Sequence, residues 1–127
     1  MRKSYFLVLL TIVLSILLVA CGDGGSDADE PAEASGNATA GAELYQGTCS
    51  ACHGPDAKGL PNLGKDLTTS EFVSSNSDQE LLAFVKEGRP ADHPDNTTGV
   101  AMLPKGGNPA LTDQDILDII AYVRSLP

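Results

Sequence analysis

The residues with the most chemical content stand together in the run Cys49-Ser50-Ala51-Cys52-His53. Two thiols three positions apart, with an imidazole beside the second, admit three chemistries. They could bind zinc, but a four-ligand set would have to recruit His93, the other histidine of the chain. They could cycle as a dithiol–disulfide pair, but that pairing belongs in a βαβ context, which is missing here. They could also attach a haem. The two thiols then add to its vinyl groups as thioethers, and His53 falls beneath the iron as the proximal ligand. The haem reading accounts for all three residues at this spacing and is the one adopted.

The third cysteine, Cys21, has a different context. Arg2 and Lys3 precede an apolar run from Phe6 to Ala20 that only Thr11 and Ser15 interrupt. A charged start and a short apolar stretch form the pattern of an export signal over residues 1–20. The run is short for a membrane-spanning helix, which needs roughly 20 apolar residues. Leu18-Val19-Ala20-Cys21 resembles the lipobox of bacterial lipoproteins, which implies cleavage before Cys21 and lipidation of its thiol. More than one acyl chain is needed for stable anchoring. From Cys21 to residue 38 the chain is small, polar and acidic, with no large apolar side chain. That composition cannot offset the entropy of ordering, so 21–38 is expected to be a lipidated, disordered tether. Its flexible span would be roughly 20–25 Å.

The elements that must position the thiols lie over residues 39–127. Ala42, Leu44 and Tyr45 lead a short helix into Cys49. Residues 54–64 are punctuated by Pro55, Gly59 and Pro61 and read as loop. Thr68–Glu71 could open a helical turn. Ser77 and Glu80 form a capping box ahead of a helix that stops at Gly88. Residues 89–111 hold four prolines and three glycines, and so long an irregular loop in so small a domain is usually functional. Thr112 and Asp115 cap a last helix whose Ile116, Ile119, Ile120 and Val123 follow helical spacing. The expected fold is all-α. Its apolar content is thin, and a haem would give the helices a surface to pack on.

With these motifs in place, residues 39–127 resemble class I cytochromes c. Gly41, Tyr45 and Cys49 stand at the spacing of that family's glycine, aromatic residue and first cysteine. Ile119-Ile120-Ala121-Tyr122 is similar to its C-terminal helix. The resemblance implies a small domain whose N- and C-terminal helices cross around one covalent haem c. It implies that Pro61, in Pro61-Asn62-Leu63, offers its carbonyl to the Nδ1–H of the proximal histidine, a bond that orients the ring. It also implies a distal methionine. Met102, the only methionine after the signal, lies in the irregular loop and fills that role, though Leu103 separates it from Pro104 where the family often has proline next. His93 is the rival ligand. Arg89 has two readings: a partner for a haem propionate, or a cation at a helix C-terminus.

The chain after residue 20 carries all seventeen acids and six of the eight bases, a net charge of −11. Such acidity excludes nucleic-acid binding as a function class. Five of the bases, Lys58, Lys65, Lys86, Arg89 and Lys105, fall in segments that the family folds around the haem edge, so a less acidic haem face on an acidic body is expected. No acid–base dyad or activated nucleophile is legible, so the expectation is an electron-transfer protein and not an enzyme. It would be lipid-anchored outside the cytoplasm and would pass single electrons between membrane complexes: a quinol-oxidising complex, a reaction centre or a terminal oxidase. Two alternatives are a fixed haem subunit of such a complex and a haem-based sensor or ligand-binding protein with an open distal site.

Overall fold

The computed structural model describes residues 35–127. The expected signal over 1–20, the lipidated Cys21 and most of the tether lie outside the described residues. No described helix is long and apolar enough to cross a membrane.

Helix α1 spans Ala38–Thr48. Asn37 starts it, its side-chain oxygen accepting the N–H groups of Thr39 and Ala40 at 3.0 and 3.2 Å, which satisfies donors that a helix start leaves open. The short α2, Ser50–His53, follows at once, and α3, Glu71–Ser75, is capped by Ser70. Helix α4, Asp78–Glu87, opens with the capping box of Ser77 and Glu80 and stops at Gly88. Helix α5, Asp113–Ser125, opens with that of Thr112 and Asp115. Hydrogen bonds from Ser77 and Thr112 hold the Glu80 and Asp115 carboxyls below their ordinary pKa. Among the described residues there is no strand, only isolated bridges pairing Leu60 with Gly64 and Arg89 with Met102. The all-α expectation is met.

The core is the crossing of α1 and α5. Gly41 is buried, and a Cβ there would run into the backbone carbonyl of Asp118. The missing side chain lets the two backbones touch. One turn on, Tyr45 is fully buried, its ring centroid 5.3 Å from that of Tyr122. Its hydroxyl donates to the Gly54 carbonyl at 2.8 Å and so ties α1 to the loop after α2. Ile116, Leu117, Ile119, Ile120 and Val123 of α5 complete the packing with Leu81 and Leu82 of α4.

The domain starts slightly earlier than its composition suggests. The Asn37 N–H donates to Asp118 Oδ1 at 2.8 Å, and a Cβ on Gly36 would meet the Leu117 carbonyl. Residues 36–38, expected in the tether, belong to the fold. Asp118 is buried, and besides the Asn37 N–H its carboxylate accepts the Gln114 amide at 2.8 Å. A buried carboxylate must find such donors, and the chain at Asn37 provides one.

Candidate functional site

Cys49 lies at the junction of two helices. Its N–H still bonds to Tyr45 in α1 at 2.8 Å, while its carbonyl accepts from Cys52 and His53 at 3.2 and 3.0 Å. A single helical turn therefore carries the motif, and i, i+3, i+4 spacing puts Cys49, Cys52 and His53 on neighbouring positions of one face. Both cysteines are free thiols, Cys49 half-buried and Cys52 exposed. Burial, helped by the neighbouring Cys52, pushes the Cys49 thiol up to about 11.

All three motif residues line one cavity of about 420 Å³, within the range of small-molecule and cofactor sites. Most of the remaining lining is apolar and comes from every helix, with Phe72 and Val73 from α3, Leu81, Phe84 and Val85 from α4, and Ile119, Ile120 and Val123 from α5. Met102 lines the same cavity. His93 does not. It is exposed, and its Nδ1 accepts the Asp95 N–H at 3.1 Å. The zinc set that needed His93 is thus not assembled, and among the described residues no group of three or more His, Cys, Asp or Glu side chains is placed to hold a metal ion. An apolar cavity with two free thiols, one imidazole and one thioether on its wall fits a haem.

One expectation about the proximal side is corrected. His53 Nδ1 lies 2.9 Å from the carbonyl oxygen of Lys65, not that of Pro61. A carbonyl only accepts, so Nδ1 carries the proton and Nε2 is left free for a metal. The reason is the Leu60–Gly64 turn. Gly64 and Leu63 donate to the Leu60 carbonyl at 3.2 and 3.1 Å, and Leu60 donates back to Gly64 at 3.1 Å. Pro61 sits exposed on that turn and outside the cavity lining, while Gly64 and Lys65 are in it.

The segment that carries Met102 is built around Arg89. Its guanidinium lies over the Phe84 and Phe72 rings, 4.7 and 5.2 Å from their centroids, and the two rings meet edge to face at 4.8 Å. Neither reading of Arg89 from the sequence anticipates that stack. The Arg89 and Met102 backbones pair in both directions, at 2.8 and 2.9 Å. Between them Asn96 closes the loop. Its amide donates to the carbonyls of Pro90 and Val100 at 3.0 and 2.8 Å, and its oxygen accepts the N–H groups of Thr98 and Gly99 at 3.1 and 2.9 Å. The sequence reading missed Asn96, although Asn followed two and three positions on by Thr and Gly is a turn signal. Of the five bases expected near the haem edge, Lys65, Arg89 and Lys105 reach the cavity wall. Lys58 and Lys86 do not, and Lys86 instead pairs with Asp113 at 2.8 Å.

Residues 38–127 match the family model of cytochrome c. Cytochrome c-551 of Bacillus subtilis (strain 168) is 30% identical over 94 residues, covering 70% of this chain and 79% of that protein. The cbb3-type cytochrome c oxidase subunit CcoP of Rhodobacter capsulatus is 31% identical over 103 residues, which are 80% of this chain but 32% of that subunit. Cytochrome c-555 of Prosthecochloris aestuarii is 29% identical over 84 residues, 65% of this chain and 81% of that protein. No solved structure gives a significant match.

Proposed function

The chain belongs to the cytochrome c family, and from that premise we propose that it is a lipid-anchored, extracytoplasmic carrier of single electrons in which His53 and Met102 would hold the haem iron. The family itself establishes a c-type cytochrome with covalent haem c and a role in electron transfer. Such a haem supplies an iron that alternates between ferric and ferrous states. The protein's residues do the rest. Cys49 and Cys52 fix the cofactor covalently. The Lys65 carbonyl holds the His53 ring in one tautomer, leaving Nε2 for the metal. The apolar wall gives the haem a surface to pack on, and the Met102 thioether as a ligand would favour the reduced state and raise the potential.

The observation that carries this reading is that Met102 lines the same cavity as the Cys49–His53 motif. It also weighs against the sensor alternative, which needs an open distal position. Anchoring rests on Cys21 after the apolar run. The test of anchoring is fractionation of cells expressing the full chain. The haem protein should sediment with membranes and take up a labelled fatty acid, and Cys21→Ala should abolish the labelling. A full chain that takes up no fatty-acid label, or a Cys21→Ala protein labelled as strongly, would overturn the lipid anchor.

A second reading, a fixed haem subunit of a terminal oxidase, is favoured by the similarity to CcoP. Detergent extraction separates the two. A carrier leaves the membrane alone, whereas a fixed subunit co-purifies with its oxidase in stoichiometric amount.

A further inference from the structure

We propose that Arg89 is a positioning residue for the distal ligand, its side chain holding the backbone to which Met102 is paired. The inference rests on Met102 as that ligand. Three contacts converge on Arg89. Its guanidinium stacks on Phe84 of α4 and Phe72 of α3. Its Nη1 lies 3.5 Å from the Asp95 carbonyl, at the limit of a hydrogen bond, and Lys65 Nζ reaches the same oxygen at 3.3 Å. Its own N–H and carbonyl pair with those of Met102. The side chain is thus fixed to two helices and the main chain to the ligand residue, so Met102 takes its position from the helices through Arg89.

The chemistry of the side chain suits this use. A guanidinium is planar and spreads over aromatic faces, whereas an ammonium over a ring is a compact point charge with no planar face to stack. Phe72 is 39% exposed, so an anchored Arg89 also covers an aromatic face that would otherwise meet water. Beyond Met102, Lys105 fixes the following turn by donating to the Leu111 carbonyl at 2.6 Å. The ligand is therefore bracketed by two cations used as mechanical ties, one upstream and one downstream.

If Arg89 acts in this way, its loss raises the fraction of molecules in which Met102 is off the metal, and an external ligand then binds more tightly in proportion to that fraction. The test uses the holoprotein and imidazole as the probe, with the weak long-wavelength band of methionine-ligated ferric haem as a second readout. Arg89→Ala should raise imidazole affinity roughly tenfold and weaken that band. Arg89→Lys should fall between, because it keeps charge without the planar stack. Phe72→Leu should also raise affinity, and its effect should not add to that of Arg89→Ala, since the two residues act through one contact. Arg124→Ala, which breaks a salt bridge to Asp78 at 2.8 Å between α5 and α4, should cost stability and leave both readouts unchanged. Unchanged affinity and band in Arg89→Ala would overturn the positioning role, as would an equal effect of Arg124→Ala. Should Arg89→Ala not mature, Arg89→Lys and Phe72→Leu decide by the same measurements. Met102→Ala is read alongside. If it keeps the band, the ligand assignment fails and the proposal with it. If it loses the band while the Arg89 variants keep theirs, the positioning role alone fails.

Discussion

Arg89 and Met102 exchange both of their backbone hydrogen bonds, N–H to carbonyl at 2.8 Å in one direction and 2.9 Å in the other. The pair is the neck of the loop that carries the candidate distal ligand. Gly88, just before it, has φ +76 and is packed so closely that a Cβ would run into the Met102 carbonyl. Only glycine takes that conformation without strain. Gly88→Ala should cost about 1–3 kcal/mol, read as a lower denaturant midpoint, and should weaken the methionine–iron band. A variant with unchanged midpoint and band would mean the neck is not under this constraint.

The loop beyond the neck depends on Asn96, whose one side chain bridges the Pro90 and Val100 carbonyls. Asn96→Ala removes both donors and leaves the carbonyls to water. The expected cost is about 1–2 kcal/mol of local stability. It should appear as faster hydrogen exchange at the Arg89 and Met102 amides, with the α1 and α5 amides unaffected.

Tyr45 should be felt through both stability and pH. Tyr45→Phe removes the shorter of two hydrogen bonds to the buried Gly54 carbonyl, which keeps the Ala57 N–H at 3.2 Å, and should cost about 1 kcal/mol near neutrality. Burial, with smaller help from neighbouring groups, raises the phenol well above its ordinary 10.0. Above that pH the unfolded chain gives up a proton that the folded chain keeps. The unfolded state then binds fewer protons, and stability falls as pH rises. Phenylalanine has no such proton, so the deficit of Tyr45→Phe should narrow in alkali. Denaturant unfolding of both proteins at pH 7 and above pH 10 checks the sign.

Two glycines of α1 should respond in opposite directions. Gly41 has no room for a Cβ against Asp118, whereas a Cβ on Gly47 would meet nothing within 4 Å. Gly41→Ala should destabilise by about 1–3 kcal/mol through overpacking. Gly47→Ala should stabilise by roughly 0.5–1 kcal/mol, the ordinary preference of a helix for alanine. Thermal unfolding midpoints decide both.

Much of this was legible in the residues because the signals are local. Ser77 with Glu80 and Thr112 with Asp115 announce helix starts, and apolar spacing over 116–123 announces the buried face of α5. The Cys49–His53 spacing carries its chemistry within one helical turn. What was not legible depends on pairings distant in the chain. Nothing near His53 says that the carbonyl it meets is that of Lys65 and not of Pro61, because the choice is made by the pairing inside the 60–64 turn. The Arg89 stack needs Phe72 and Phe84 brought together from two helices. The start of the fold at Asn37 depends on Asp118, far away in sequence, so composition alone left residues 36–38 in the tether.

A spectroelectrochemical titration of the purified holoprotein beside Met102→Ala tests most directly whether this chain is a single-electron carrier in which His53 and Met102 would hold the iron. One reversible one-electron wave from one haem is expected, with a midpoint that falls when the thioether is removed, because methionine ligation favours the ferrous state. A two-electron wave, or a midpoint that Met102→Ala leaves in place, would contradict it.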